Sequence, residues 1–467
     1  MDTLRNKPLT DSFCILPWLQ VFIGLKGALK ICCHSVMGKE FVNQKDEILF
    51  FHKHNLEYLW NCKSLLDIRM KMLKGERIAD CELCYSLEEK AGFSQRVFYC
   101  SVFYEEYLRL QEAGEFETTL KNGGKTQFKP IYFNCNMGNR CNLACRMCSP
   151  QSSIVKAHET FRFLRGKNLS EFSDGYVPPL YINDGFLPPL YSINKNMNRN
   201  SEVPWQMLYE EFQESYDYCN DIRFWQQIEQ IIPYLQLLVL HGGEPLLYQN
   251  EIMSLVDNIV RHRREACIKF VFVTNLIFDN PGFIKKLSLI EWKFFQIVFS
   301  IDGCKKLQEY IRYPLKWDVF ENNINTILSL GDRINLTASI TVDAYNVYQL
   351  TDVLDYLETF WDKTNLSISM NFLQVPYYLK TDILPQKIKT EAIQRIKDFM
   401  KRSKFINDDK RSGQLKNELD YVIKNLDHED DTLLERRKKF VQFTRALDKL
   451  RGQNILDVCP EMEHLFS

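Results

Sequence analysis

An α/β fold built on a parallel sheet is what this 467-residue sequence predicts, and three observations carry the prediction. From residue 128 onward, short apolar and β-branched runs alternate with amphipathic stretches, the pattern of successive βα units. Most of those runs empty into a polar or glycine-rich motif, so the motifs share the carboxyl ends of the strands, where (β/α) barrels build their active sites. Beyond Pro376 the alternation stops and the chain becomes charged and helical.

The first run, Ile131-Tyr132-Phe133, leads into the CxxxCxxC loop Cys141-Asn-Leu-Ala-Cys145-Arg-Met-Cys148. Three thiolates on one tight loop suit three irons of a 4Fe–4S cube and leave the fourth iron open. Structural metal sites are more often closed by four protein ligands, so an open corner is a sign of chemistry. Zinc would more often show paired CxxC or Cys/His motifs, which this loop lacks.

The second run, Leu235–Leu240, ends in His241-Gly242-Gly243-Glu244-Pro245. The paired glycines let backbone pass close to a ligand, Glu244 is an acceptor suited to an ammonium group, and Pro245 stops the strand. An ordinary strand-ending turn with a solvated Glu is the plainer reading. The third run, Phe270–Val273, ends in Thr274-Asn275, which suit either ligand contact or capping of the next helix. The fourth, Phe295–Phe299, ends in Ser300-Ile-Asp302-Gly303, where Ser300 and Asp302 share one side of an extended chain or simply form a turn. Ile334–Val342 and Leu366–Leu373 supply the last two strands. Helical spacing recurs between them, in Ile252, Leu255, Val256, Ile259 and Val260 and in Val319, Ile324, Ile327 and Leu328. In the C-terminal stretch, Lys387–Lys404 and Thr432–Leu450 read as helices, the second burying Leu433, Phe440, Phe443, Leu447 and Leu450.

The cysteine triad, with its GGEP and Ser-x-Asp-Gly companions, resembles the radical S-adenosylmethionine (SAM) superfamily. The resemblance implies a partial (β/α)6 TIM-like barrel, placed at residues 126–375, with SAM on the open iron of the cluster held by Cys141, Cys145 and Cys148. It implies that Gly242, Gly243 and Glu244 hold the SAM amino group and that Ser300 and Asp302 face the ribose. Met147 matches the position that packs on the nucleoside, although a methionine also serves as core filler. Thr274 and Asn275 are further candidates for SAM or substrate, and Arg312 suits the SAM carboxylate or a surface ion pair.

A second cysteine set lies at the N-terminus: Phe13-Cys14-Ile-Leu-Pro-Trp18, Gly27, Cys32-Cys33 and Cys81-Glu-Leu-Cys84. Four thiolates close either a 4Fe–4S cube or a zinc site, and ligand count does not separate them. The spacing of Cys14, Gly27, Cys32 and the CxxC resembles a twitch domain, a shortened SPASM module, which implies an auxiliary 4Fe–4S cluster on Cys14, Cys32, Cys81 and Cys84. Cys33 is a spare, a substitute ligand or an active-site thiol. The layout resembles the subgroup of twitch domain-containing radical SAM proteins, which shares the opening Phe-Cys-x-x-Pro-Trp, the stretch Trp60–Arg69–Gly75, and a closing segment like Phe443–Arg451. We therefore place a twitch module at 1–125 and a helical region at 376–467.

With 45% hydrophobic and 25% charged residues the chain reads as a soluble globular protein, and its length calls for two or three domains. A net charge of −1 gives no footprint for nucleic acid. The apolar stretch Phe13–Leu25 is too short for a bilayer, and no signal peptide is read there, so no membrane association is expected. Open-coordination clusters need a reducing compartment, which points to the cytoplasm. Cys62, Cys100, Cys219, Cys267, Cys304 and Cys459 read as small buried hydrophobes. Residues 160–205 form an insert in which DG-aromatic-aliphatic-PPLY occurs twice, at Asp174–Asn183 and Asp184–Asn194, as either a surface loop or a lid.

The function this implies is reductive cleavage of SAM to a 5′-deoxyadenosyl radical that abstracts a substrate hydrogen, with flavodoxin or ferredoxin as an example of electron donor. The substrate is a peptide or protein, or alternatively a sugar, nucleoside or amine. Cys33, Cys135 and Cys304 are candidates to return a hydrogen. A non-catalytic zinc- or cluster-binding scaffold is the contrasting class.

Overall fold

The computed structural model describes residues 9–35, 40–92, 94–165, 218–407, 412–426 and 433–466; the duplicated segment at 174–194 lies outside them. In chain order its main elements are β1 (Gln20–Ile23), β2 (Leu29–Lys30), α1 (Lys63–Lys74), α2 (Glu82–Ala91), α3 (Gln95–Val102), β3 (Tyr132–Asn136), α4 (Ile154–Leu164), β4 (Leu237–His241), α5 (Gln249–Arg261) and β5 (Lys269–Thr274). There follow α6 (Gly282–Ser288), β6 (Phe294–Ser300), α7 (Lys306–Ile311), α8 (Trp317–Leu328), β7 (Asn335–Val342), α9 (Leu350–Glu358), β8 (Leu366–Phe372), α10 (Gln386–Arg402), α11 (Ser412–Leu426) and α12 (Leu433–Arg451). The fold is mixed α/β with an eight-stranded, mostly parallel sheet.

The six runs read from the sequence are β3–β8, each within a few residues of its expected span. The sheet exceeds six strands because the N-terminal segment adds two. β1 pairs in parallel with β3, Gln20 opposite Tyr132, and β2 pairs antiparallel with β1. Every residue of β1 is buried, so it shows no alternation to mark it as a strand.

The chain divides into two compact units, one of residues 1–138, 215–272 and 291–294, the other of 139–214, 273–290 and 295–467. In the first unit β1, β3, β4 and β5 run parallel in register. Its N-terminal segment is anchored by ring contacts. Phe13 stacks on Trp18 at 5.4 Å and both meet Phe116 edge-on. Arg69, fully buried, donates to the Pro17 carbonyl at 2.9 Å, and Arg96 donates to the Phe13 carbonyl at 2.8 Å. Those two arginines fix the backbone on either side of Cys14. Gly27, at φ +78°, holds a conformation that glycine adopts readily, and a Cβ there would meet the Tyr218 ring at 2.8 Å.

In the second unit β6, β7 and β8 are parallel, Ser300 opposite Ser339 and Ser339 opposite Ser369. Alternate residues Phe295, Ile297 and Phe299 and Leu336, Ala338 and Ile340 are buried. The buried face of α8 is set by Phe320, Ile324 and Ile327, which leaves Val319 exposed, about 100° off that face. Val260 of α5 is likewise exposed, so both expected core positions are corrected. On α12, Phe440, Phe443 and Leu447 are buried as expected, while Leu433 and Leu450 are half-buried. Among the described residues no helix is long and apolar enough to cross a membrane.

The edge of β8 meets α11, where the Met370 N–H donates to Glu418 Oε2 at 3.1 Å and Phe372 packs on Tyr421 at 4.4 Å. Burial pushes the Glu418 carboxyl up from 4.5 to about 7. The folded state then holds its proton more tightly than the unfolded chain, so stability falls as pH rises from 4.5 to 7, by up to about 3 kcal/mol. Glu418→Gln should therefore be more stable than the parent at pH 8 and no more stable at pH 4.5, read from urea unfolding at the two pH values. Equal effects at both would show that the fold does not raise this carboxyl above its ordinary value.

Candidate functional site

The cysteine loop belongs to the second unit and is shaped by backbone pairing. Ala144 N–H donates to the Tyr313 carbonyl at 2.6 Å and Arg146 N–H to the Ile311 carbonyl at 2.8 Å, so residues 144–146 run along 311–313. Ser153 Oγ donates to the Leu143 carbonyl and also caps α4. Within this frame Cys145 is buried, and Cys141, Met147 and Cys148 are half-buried. The Cys145 and Cys148 thiols are hydrogen-bonded to each other, and Cys141 is close enough to act on Cys148 electrostatically. The bond from Cys148 does most to lower the Cys145 thiol to about 7, against burial, and Arg312 adds to it.

Three N–H groups face these sulfurs. Arg312 Nη1 lies 3.9 Å from Cys145 Sγ, Asn275 Nδ2 lies 3.9 Å from Cys141 Sγ, and the Leu143 N–H donates to Cys141 Sγ at 3.5 Å. Thiols ringed by N–H donors are the environment that iron–sulfur clusters use to tune their sulfurs, so the donor set fits a 4Fe–4S cube. Among the described residues no group of three or more His, Cys, Asp or Glu is already disposed around a single metal ion.

Arg312 is neither solvated nor a surface partner. It is buried, and its Nε donates to Asp302 Oδ2 at 2.6 Å. Burial lowers its affinity for the proton, but Asp302 and Cys145 outweigh that and the net direction is up. Asp302 is fully buried, and its other oxygen accepts from the Thr341 N–H at 2.7 Å. Its carboxylate thus holds Arg312 against the cysteine loop. Ser300 is the last residue of β6 and half-buried.

Thr274 and Asn275 close the end of β5 and do not cap the next helix, which begins at Gly282. Thr274 Oγ1 accepts from the Leu276 N–H and Asn275 Oδ1 from the Ile277 N–H, both at 2.9 Å. Asn275 Nδ2 also donates to Asn142 Oδ1 at 2.6 Å, which ties it to the cysteine loop. One residue escaped the sequence reading. Asp343, directly after β7, is fully buried with Oδ2 unpartnered; burial, with Asp302 adding, holds its carboxyl well above the usual range. Its position at a strand's carboxyl end is the signal that would have found it.

In the first unit, β4 ends at His241, and Gly242 follows at φ +104°. A Cβ on Gly242 would clash with Asn136 Oδ1 and stand 2.5 Å from Met137 N, so only glycine fits. Gly243 N–H donates to the Gly138 carbonyl at 2.9 Å. Glu244 is fully buried, not solvated, and its Oε1 accepts from the Leu246 N–H at 3.0 Å. Burial lowers His241 to about 4, so its ring is neutral at physiological pH.

The same unit holds a small pocket that Cys14, Cys32, Cys33, Cys81 and Cys84 all line. The four expected ligands are thus brought together, with Cys33 as a fifth thiol and His34 beside it. Burial pushes up Cys32, Cys81 (to about 12) and Cys84, while Cys33 is exposed. Cys14 is also raised, chiefly by its hydrogen bond with Cys100 and then by burial. Thiols this basic lose their protons when a metal cation takes their place, and a cluster supplies one. Cys100 is half-buried and touches Cys14, so it is not the isolated core residue expected from the sequence; Cys267 and Cys304 are half-buried as well. No spacing rule could have linked Cys100, on α3, to Cys14.

No family model and no curated protein matches the chain. Solved structures that overlap it include native anSMEcpe with bound AdoMet and Cp18Cys peptide, at 17% identity and TM-score 0.30, covering 38% of this chain and 50% of that one. Native anSMEcpe with bound AdoMet overlaps at 16% identity and TM-score 0.33, covering 60% of this chain and 61% of that one. The chain therefore spans about half the length of the first of these.

Proposed function

We propose that the chain is a radical SAM enzyme with two 4Fe–4S clusters, acting on a peptide or protein in the reducing setting of the cytoplasm. One observation carries the reading: Cys141, Cys145 and Cys148 share a loop whose sulfurs are met by the N–H groups of Arg312, Asn275 and Leu143. When bound, the cluster and SAM supply a 5′-deoxyadenosyl radical that removes a hydrogen atom from the substrate. The chain's own part is to hold three irons and leave one open, and to place charge around the ligand. Asp302 locks Arg312, which sets a cation beside Cys145 and keeps its planar fork within reach of a carboxylate. Gly242 lets backbone approach without a Cβ, and Glu244 supplies a buried carboxylate for an ammonium group. Cys14, Cys32, Cys81 and Cys84 hold the auxiliary cluster in the five-thiol cavity, with Cys33 in reserve.

The test is anaerobic reconstitution with iron and sulfide, then reduction in the presence of SAM. The parent should take up about eight irons per chain and produce 5′-deoxyadenosine. Replacing Cys141, Cys145 and Cys148 together by alanine should abolish that product while about four irons stay bound. Product from the triple variant, or a fully loaded parent that binds no SAM by calorimetry, would overturn the assignment.

A further inference from the structure

We propose that helix α12, through Asp448 and Arg451, is the positioning element of the cysteine loop; the inference rests on the reading of that loop as a cluster site. Arg146 stands between Cys145 and Cys148 and points its side chain away into the protein, where it is fully buried. Its Nη2 donates to Asp448 Oδ1 at 2.6 Å and to Gln453 Oε1 at 3.0 Å, and its Nε donates to the Tyr310 carbonyl at 3.0 Å. The guanidinium lies 3.5 Å from the Tyr310 ring centroid. The Tyr310 hydroxyl donates to the same Asp448 oxygen at 2.8 Å, and the other oxygen accepts from the Ile455 N–H at 2.8 Å. Asp448 is therefore held from two directions besides its contact with Arg146.

One turn further along α12, Arg451 reaches the other side of Cys145. It donates in a fork to Glu159, Nε to Oε1 at 2.6 Å and Nη2 to Oε2 at 2.8 Å, and Nη2 also donates to the Ala144 carbonyl. Glu159 is in turn paired with the buried Lys156 at 3.2 Å. Thus the residues before and after Cys145, Ala144 and Arg146, are each gripped by a charged residue of one helix. The two backbone bonds to residues 311 and 313 fix one edge of the loop, and groups that orient ligands from behind govern how well a metal is held. Asp448 and Arg451 bond to Arg146 and to the Ala144 carbonyl rather than to the three sulfurs, so they act through the loop, with the Arg451 charge adding to the field at Cys145.

The same helix supplies a comparison. Arg436 is buried and paired with Asp382 at 2.7 Å, an ion pair of similar depth that involves no loop residue. Full-length protein would be reconstituted anaerobically, and iron release to a ferrous chelator would be followed with the EPR spectrum of the reduced cluster that responds to added SAM. Arg451→Met should speed iron loss from that cluster by roughly 10- to 100-fold and alter its EPR signal. Arg436→Met should leave both at the parent's values. Asp448→Asn, which preserves shape and one acceptor oxygen, carries the same test if Arg451→Met does not fold. Equal acceleration by the Arg451 and Arg436 variants would reduce the network to general stability and overturn the inference. A loaded parent with unchanged release in the Arg451 and Asp448 variants would overturn it alone. A parent that takes no cluster on this loop would overturn the enzyme reading and the inference together.

Discussion

Gly242→Ala should destabilise the protein by roughly 2–6 kcal/mol, the sum of two independent costs. The first is backbone: at φ +104° an alanine is strained whatever its surroundings, for about 1–3 kcal/mol. The second is space. The new Cβ would stand 2.5 Å from Met137 N, and that N–H donates to the His241 carbonyl at 2.7 Å, so it cannot withdraw without breaking the bond that joins the ends of β3 and β4. Overpacking of this kind costs about 1–3 kcal/mol. Gly413, in the first turn of α11 with open space at its Cβ, provides the control, and its alanine variant should gain at most about 0.5 kcal/mol. Chemical unfolding would measure both. A Gly242→Ala protein within about 1 kcal/mol of the parent would mean that the close approach does not exist in solution.

The strands were legible because each of β4–β8 carries an apolar run of its own, and the motifs at their ends were legible because Gly, Pro and Asp break such runs. β1 was not, since its four residues are all buried and lie within a cysteine motif that draws the eye to metal binding. Helix faces were read with a phase error of one residue at Val319, where a single position turns the side chain by about 100°. The gathering of Cys14, Cys32, Cys81 and Cys84 on one cavity follows the motif spacing, but the fifth thiol's place and the contact of Cys100 depend on how α3 folds back. Arg312 was recognised as a cation with a planar fork, whereas its burial against Asp302 needed the turn that brings residue 312 back to β6. The hold of α12 on the cysteine loop was wholly hidden. Arg146 and Asp448 are 302 residues apart, and a sequence read for amphipathic faces assigns α12 only its apolar stripe of Leu433, Phe440, Phe443, Leu447 and Leu450.

That buried pair carries the second large effect. Asp448→Asn should cost about 3–5 kcal/mol, because it leaves the Arg146 guanidinium uncompensated at a site with no exposed surface. Three contacts soften the loss without cancelling it. The Tyr310 ring offers about 0.5–2 kcal/mol to a cation over its face, and the Tyr310 carbonyl and Gln453 still accept. Arg146→Met should also be costly, since Asp448 then keeps its charge with only the Tyr310 hydroxyl and the Ile455 N–H as donors. The double variant Arg146→Met/Asp448→Asn removes both charges, and its cost should fall short of the sum of the singles by about 2–3 kcal/mol. If the singles add to within about 0.5 kcal/mol, the two residues are not coupled. The cycle is best run on metal-free protein. A strong coupling there would mean that α12 sets residues 144–146 before iron arrives, so that cluster insertion need order only the thiols and not the loop that carries them.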